Sequence, residues 1–313
     1  MNETNNTNKK KVISVLGPTA SGKTAVAIEI AKKFNGVIIN CDSRQIYQEM
    51  FIGTASPTPE EKAIVEHRLF NFVSPTTLYN ASDYATAAAN EIQKVWQEGK
   101  LPILTGGTGF YYSAISEGLG SAGSDETLAT ELQNELSQKG LDFMVSKLQS
   151  LDAEAVLTID TKNSRRVLRA IEVVISTGKP FSQNKPEPLL PEAEFVPIVV
   201  SRPRENLHKR IELRIDQMFD MGLEKEVLYI IEKYSRQASA LSSIGYREWL
   251  DYFDGKITMS QLRESILFHT RQYAKRQETW FRKKPGIPFK DLDDPESMKN
   301  ILEEIRKFIT HSS

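Results

Sequence analysis

The chain has 313 residues, 40% of them apolar, enough to build one large domain and a second body. Its 40 Lys and Arg against 41 Asp and Glu leave a net charge of -1, which excludes a globally basic nucleic-acid binder but leaves room for local basic patches. The single cysteine, Cys41, excludes internal disulfides and zinc sites built from thiolates.

The opening residues, MNETNNTNKKK, are polar and lack an apolar signal core, so 1–11 read as a disordered start. No apolar run approaches the roughly 20 residues of a membrane helix. A cytoplasmic setting without membrane contact is expected. Val12 to Leu16 is a short β-branched run that predicts a buried strand. A glycine-rich loop follows, and then Ala25, Ala27, Ile28, Ile30 and Ala31 set a helix that stops near Asn35-Gly36. Val37 to Asn40 predicts a second strand, Asp83 to Glu98 a helix, and LPILTGGTGFYY a strand entering a second glycine turn. Strands alternating with helices predict a parallel sheet with right-handed crossovers.

From Ser121 to Pro191 the pattern turns helical. NSRRVLRAIEVVISTGKP is its clearest helix, with Asn163 or Ser164 as cap, an apolar stripe of Val167, Ile171 and Val174, and Gly178 and Pro180 at its end. KPEPLLPEAEF reads as a return linker, and FVPIVVSR as a strand rejoining the first sheet. The expected organisation is a core of 12–120 and 195–313 with a helical insertion at 121–194. Past that, Leu207, Ile211, Ile215 and Met218 mark one helix face before Gly222. Thr258 and Gln261 form a capping box ahead of a helix through LRESILFHTRQYAKRQETWFRKK.

GPTASGKT, residues Gly17, Pro18, Thr19, Ala20, Ser21, Gly22, Lys23 and Thr24, fits the phosphate-loop pattern G-x-x-x-x-G-K-[ST] in full. It also lies between a predicted strand and a predicted helix. Glycines let backbone N–H groups turn toward phosphate oxygens, and the helix N-terminus adds partial positive charge. Lys23 supplies a cation and Thr24 a hydroxyl for Mg2+. Asp42 stands where nucleotide hydrolases place a magnesium-supporting carboxylate. No clear adenine- or guanine-specifying motif accompanies it, which opens the reading that the loop serves a pyrophosphate outside any nucleotide.

GPTASGKT, INCDSRQIY, IGTASPTPEE, GGTGFYY, NSRRVLRAIEV, RPRENLHKRIELRIDQM, SIGYREW and TRQYAKRQETWFR occur in this order. Together they resemble the tRNA dimethylallyltransferases, also called tRNA isopentenyl transferases, from about Val12 to Arg282. The first motif is generic; the ordered set is specific. The resemblance implies an α/β fold, with a P-loop NTPase-like parallel sheet flanked by helices and an inserted helical tRNA-binding domain. It implies transfer of a dimethylallyl group from dimethylallyl pyrophosphate to the exocyclic N6 amine of the adenosine just 3′ of the anticodon, in tRNAs reading codons that begin with U. The loop would then hold the leaving pyrophosphate, with Mg2+ as cofactor on Thr24 and a monomer as the working form.

By the same resemblance, Asp42 matches the family's general base; without it, a magnesium-binding or helix-capping carboxylate is the competing reading. Thr108 matches a threonine near the reacting amine, and Arg214 an arginine contacting pyrophosphate, with Arg210 one turn earlier. Ser43, Arg44 and Gln45 match the segment that reads the target base together with Asp42. That base lies in the tRNA anticodon stem-loop and must be turned out of its stack to react. Arg165, Arg166, Val167, Leu168 and Arg169 match a tRNA-contacting segment. Arg271, Lys275 and Arg276 make the last long helix basic, with Trp280 beside them as either stacking platform or core. The bland reading of that run is a solvated helix face.

Two motifs depart from the family's usual form. Ser56 stands where GTAKP has lysine, which leaves that cationic contact unfilled, and HRLFN replaces HHLID, with His67 read as structural. The cysteine/histidine zinc finger of many eukaryotic members is absent from the sequence, so the chain resembles the compact bacterial type. Rival readings are an adenylate isopentenyltransferase acting on free nucleotide, a small-molecule kinase, and an RNA-binding module with a degenerate loop. The arginine-bearing insertion argues against the first. Missing lid and base-binding motifs argue against the second, and intact Lys23, Thr24 and Asp42 against the third.

Overall fold

Val12, Ile13, Val15 and Leu16 are fully buried, as expected of a central parallel strand covered on both faces. The structure, a computed structural model, describes residues 9–120 and 126–310. Strand β1 (Lys10–Leu16) begins before the apolar run. Lys10 and Lys11 pair in register with Ala193 and Glu194, and the Lys11 amine meets the Glu194 carboxylate, so backbone pairing carries the strand into residues that composition assigned to a polar start. The first eight residues of that expected disordered start lie outside the described residues.

The first unit comprises residues 1–116 and 189–313. In chain order it contains β1, α1 (Lys23–Phe34), β2 (Gly36–Asn40), α2 (Pro59–Ile64), β3 (His67–Arg68), α3 (Ala81–Gln97), β4 (Leu101–Gly106) and α4 (Gly109–Ser116). All six strands of its sheet pair in parallel, in the order β3-β2-β4-β1-β5-β6, where β5 is Ala193–Ser201 and β6 is Phe289–Asp291. The chain leaves the adjacent strands β2, β4 and β1 at Cys41, Gly107 and Gly17. Three loops therefore gather at the carboxyl edge of the sheet, the usual ligand side of an open α/β fold.

Helix α1 buries Val26, Ala27, Ile30 and Ala31 against Ile13, Val15, Ile38 and Ile103. On the other side of the loops stands a helical body: α9 (Arg204–Asp220), α10 (Leu223–Tyr234), α11 (Arg247–Phe253) and α12 (Met259–Arg282), ahead of the final helix α13 (Ser297–Thr310). The predicted stripe Leu207, Ile211, Ile215 and Met218 is buried there with Trp249, Leu262 and Ile266. Ile46, Tyr47 and Met50, just past β2, join the same cluster and tie the segment after Asp42 to the helices. Thr258 and Gln261 form the expected capping box of α12.

The second unit comprises residues 117–188. Its boundaries differ from the expected 121–194 because Leu190 is buried and β5 starts at Ala193, which places the return segment with the sheet. It holds α5 (Glu126–Lys139), α6 (Leu141–Leu151), α7 (Ala153–Thr158) and α8 (Ser164–Thr177). Asn163 is the cap of α8, its side chain accepting from the Arg166 N–H, and Gly178 closes the helix in the left-handed region. Val167, Ala170 and Ile171 pack with Leu132, Met144 and Leu148 into a core of the unit's own.

Candidate active site

The glycine loop leaves β1 at Leu16 and enters α1 at Lys23. Three arginines hold successive loop residues. Arg214 Nη1 donates to Thr19 Oγ1 at 3.1 Å, Arg210 Nε to the Ala20 carbonyl at 2.9 Å, and Arg202 Nε to the Ser21 carbonyl at 3.0 Å. Lys23 Nζ turns back to the Pro18 carbonyl at 2.7 Å. The Lys23 amine opens onto a cavity on one side and is enclosed by protein on the others. Burial pushes it down to about 8, against the pull of Asp42 and helped by the Arg214 charge. Burial also lowers Arg214, and Asp42 again opposes the shift. One carboxylate therefore faces two desolvated cations.

Asp42 follows β2. Its N–H donates to Asn40 Oδ1 at 2.9 Å, and its Oδ1 accepts from the Arg44 N–H at 2.9 Å. This turn exposes the second carboxylate oxygen to other partners. Thr108 is tied to the same segment: its N–H donates to the Cys41 carbonyl at 3.2 Å, and its Oγ1 accepts from the Ser43 N–H at 2.9 Å. The Tyr273 phenol bonds Thr108, and burial, then the Asp42 charge, raises it above its ordinary value.

Helix α12 locks the two glycine loops together. Gln277, itself buried, accepts from the Thr19 N–H at 2.9 Å and donates to the Gly107 carbonyl at 2.9 Å. A Cβ at Gly107 would stand 2.1 Å from Gln277 Nε2, and one at Gly109 2.3 Å from the Trp280 ring. Only glycine lets the helix approach this closely.

Two cavities open around these residues. The larger, about 550 Å³, is walled by Lys23, Thr24, Asp42, Arg210 and Arg214 on its polar side and by Phe51, Ile52, Met218 and Met221 on its apolar side. The smaller, about 260 Å³, has Arg44, Arg247, Thr270, Tyr273 and Arg276 in its wall. Thr19, Asp42, Thr54, Arg214 and Met218 line both. Two chambers, each with charged and apolar walls, thus meet at one carboxylate; Ile211, Ile215, Ile244 and Ile266 line the smaller. Among the described residues no three or more His, Cys, Asp or Glu side chains gather as a metal cluster. The oxygen donors Thr24 and Asp42 do share the larger cavity, a set suited to a hard cation that keeps most of its ligands from phosphate and water.

Of the residues singled out in the sequence, the structure brings Lys23, Thr24, Asp42, Gln45 and Arg214 to the first cavity and Arg44 and Arg276 to the second. Ser43 and Thr108 bond each other beside Asp42. Lys275 is exposed on α12, whereas Arg271 is half-buried near Glu212, at 3.6 Å. On α8, Arg165 and Arg166 are exposed and Arg169 pairs with Glu172 at 2.9 Å. Val167 is fully buried, and Leu168, half-buried, packs on the same core. Trp280 is half-buried, with its ring against Gly109 and edge-on to Phe281. Ser56 is buried and bonded to Thr54 Oγ1 and Asn71 Nδ2, so a polar knot occupies the place of the missing lysine. His67 Nδ1 bonds the Val65 carbonyl, and burial lowers the ring's pKa.

Sequence reasoning missed Arg202, Thr54, Tyr273 and Gln277. The last two had a signal: with Trp280 they stand four and three residues apart on one face of α12, turned toward the loops.

The profile of the IPP transferase family matches residues 45–284. The chain is 38% identical over 303 residues to the tRNA dimethylallyltransferase of Pediococcus pentosaceus, covering 96% of this chain and 97% of that one. It is 36% identical over 305 residues to the tRNA dimethylallyltransferase of Bacillus subtilis, covering 96% of each. Among solved structures, the full-length tRNA isopentenylpyrophosphate transferase of Bacillus halodurans superposes with a TM-score of 0.71 at 33% identity, over 97% of this chain and 98% of that one. A eukaryotic dimethylallyltransferase acting on tRNA gives a TM-score of 0.81 at 26% identity, over 96% of this chain and 80% of that one.

Proposed function

The chain belongs to the IPP transferase family, and from that premise we propose that it transfers a dimethylallyl group from dimethylallyl diphosphate to the N6 amine of the adenosine 3′ of the anticodon in tRNA. The observation that carries this reading is the shared wall of the two cavities, where Asp42 stands between a diphosphate-type cradle and a second chamber open to a flipped base. The relatives are named for tRNA, and one acts on it, which favours tRNA over free nucleotide as acceptor.

In this reading the donor's diphosphate lies along Gly17–Thr24 with Lys23, Arg210 and Arg214 around it, and its prenyl group lies against Phe51, Ile52, Met218 and Met221. Cations placed where charge develops on the departing diphosphate lower the barrier to breaking the allylic C–O bond. The adenine amine attacks the freed carbon. Its lone pair is delocalised into the ring, so it is a weak nucleophile until its proton has somewhere to go, and the Asp42 carboxylate receives that proton. Thr108, bonded to the Cys41 carbonyl and the Ser43 N–H, braces the segment that carries the carboxylate, with the Tyr273 phenol beside it. Mg2+, held by the Thr24 hydroxyl and the Asp42 side of the cavity, would supply further neutralisation of diphosphate charge. The same reading makes the protein a cytoplasmic monomer. No described helix is long and apolar enough to cross a membrane.

Purified protein with magnesium and labelled dimethylallyl diphosphate is expected to label unmodified tRNA and leave AMP unlabelled. Label on AMP alone would replace this reading with that of an adenylate isopentenyltransferase. The exposed arginines of α8 bear on RNA affinity. Arg165→Ala should weaken tRNA binding and lower the slope of log K against log[salt] by about 0.7–0.9, the value of one lost phosphate contact. Filter binding across a salt series measures this, and an unchanged slope removes Arg165 from the RNA interface.

A further inference from the structure

Residues Phe51 to Ser56 form a loop without helix or strand that lines both cavities. Its carbonyls do site work. Thr54 O accepts from Arg214 Nη2 at 3.4 Å and from Gln45 Nε2 at 3.1 Å, and Ala55 O accepts from the same Gln45 amide at 2.8 Å. Within the loop the backbone closes on itself through Ala55 N–H to Ile52 O and Ser56 N–H to Phe51 O. Those bonds shape the turn but do not fix where it sits.

Gln45 and Asn71 hold the far half of the loop, and its first three residues are anchored from α10. The N–H groups of Phe51 and Ile52 both donate to Glu226 Oε2 at 2.8 Å, and the Gly53 N–H donates to Oε1 at 3.1 Å. A fourth donor, the Tyr246 phenol, reaches Oε1 at 2.6 Å. Three consecutive backbone N–H groups converging on one carboxylate is the geometry of an anion nest, filled here by the protein's own side chain. The Tyr246 ring lies so close that a Cβ at Gly53 would meet it at 2.5 Å, so residue, ring and carboxylate form one tight stack. Burial, with the Glu226 charge second, raises the Tyr246 phenol well above its ordinary value, which keeps it a donor.

We infer that Glu226 is a positioning residue for the transfer reaction: by gathering Phe51, Ile52, Gly53 and Tyr246 it sets the Thr54 carbonyl that aims Arg214 at the leaving diphosphate. This rests on the proposed function. Glu226 lines neither cavity, so its influence runs through the loop and Arg214. In Glu226→Gln the isosteric amide keeps one acceptor oxygen but turns an NH₂ group toward donors, so the nest opens on one side while volume is kept.

The test uses the full chain. Glu226→Gln should lower kcat/KM for dimethylallyl diphosphate about 10- to 100-fold, the scale of a displaced binding group, with the Kd for unmodified tRNA unchanged. Its Kd for inorganic pyrophosphate, read by calorimetry, should weaken in parallel. Arg214→Lys should cost markedly less in the Glu226→Gln background than alone, because contacts in one network are non-additive. Tyr246→Phe removes one donor of four and keeps the ring on Gly53. It should move the same quantities in the same direction by about two- to fivefold, and it serves if Glu226→Gln fails to fold. Additive costs, or a lowered Tm with pyrophosphate affinity and kcat/KM at wild-type values, would make Glu226 a structural staple only and overturn the inference. Wild-type protein that binds pyrophosphate but prenylates no tRNA would instead defeat the proposed function. The pyrophosphate measurement would still decide the role of Glu226.

Discussion

Asp42→Ala lowers kcat for prenyl transfer about 10³-fold, inside the range that a positioned general base contributes, while the affinity for unmodified tRNA stays near that of the wild type. The size of the effect follows from the nucleophile. An aromatic amine bonded to carbon while still carrying both hydrogens is a strongly acidic cation, so without a nearby acceptor the attack reverses. Asp42 lies in the wall that both cavities share and is the only carboxylate to do so among the described residues. Alanine also removes the cap on the Arg44 N–H, which asparagine preserves. Asp42→Asn therefore separates the two roles, since the amide keeps the turn and cannot take the proton. Single-turnover rates and filter binding on both variants decide the matter. If Asp42→Asn reacts near the wild-type rate, the carboxylate is a cap and not a base.

The parts of this site that could be read from sequence are those whose chemistry is local. The phosphate loop declares itself because turn, cation and helix start fall within eight consecutive positions, and β1 and α1 then follow from the apolar pattern on either side. Strand β5 was legible as an apolar run, and its pairing with β1 shows where the insertion ends. The short edge strands β3 and β6 left no such trace: two and three residues carry no period, and only pairing with a neighbour makes them strands. For Gln277 the helical spacing to Tyr273 and Trp280 marks a face of α12 but not what that face meets. Its partner Thr19 is 258 positions away, and what it binds is backbone, which bears no residue signature. Glu226 is the same case, with main-chain N–H groups as three of its four donors. Val167 shows two sequence arguments in conflict. Helical periodicity put it on the apolar stripe, motif resemblance put it with RNA, and the core of the second unit claims it. Where one element carries both a buried face and a binding face, resemblance names the element and periodicity names the face.

Lys23→Met lowers kcat/KM for the isoprenoid donor about 10²–10³-fold, as expected for the loss of a preorganised charge at a leaving group, and it also removes a pH dependence. In the free protein the Lys23 amine is lowered from 10.5 to about 8. The wild-type kcat/KM for donor should therefore fall as pH rises above about 8, because kcat/KM follows the free enzyme's ionisations. Bound diphosphate adds negative charge beside the amine and holds its proton, so kcat should stay flat over the same range. Stability runs the other way. Between about 8 and 10.5 the unfolded chain binds a proton at Lys23 that the folded chain does not, so this residue's contribution to folding stability rises with pH through that window. Below it, the fold bears the cost of holding a desolvated ammonium beside Arg214, offset by Asp42 and the Pro18 carbonyl. Donor binding and unliganded stability thus respond to one proton with opposite signs. Lys23→Met should flatten both profiles, the first at a low value and the second at a high one. Initial rates and thermal melts from pH 7 to 10 on the two proteins measure the pair. A kcat/KM profile that declines equally in wild type and variant would assign the ionisation to another group and leave Lys23 without its role at the diphosphate.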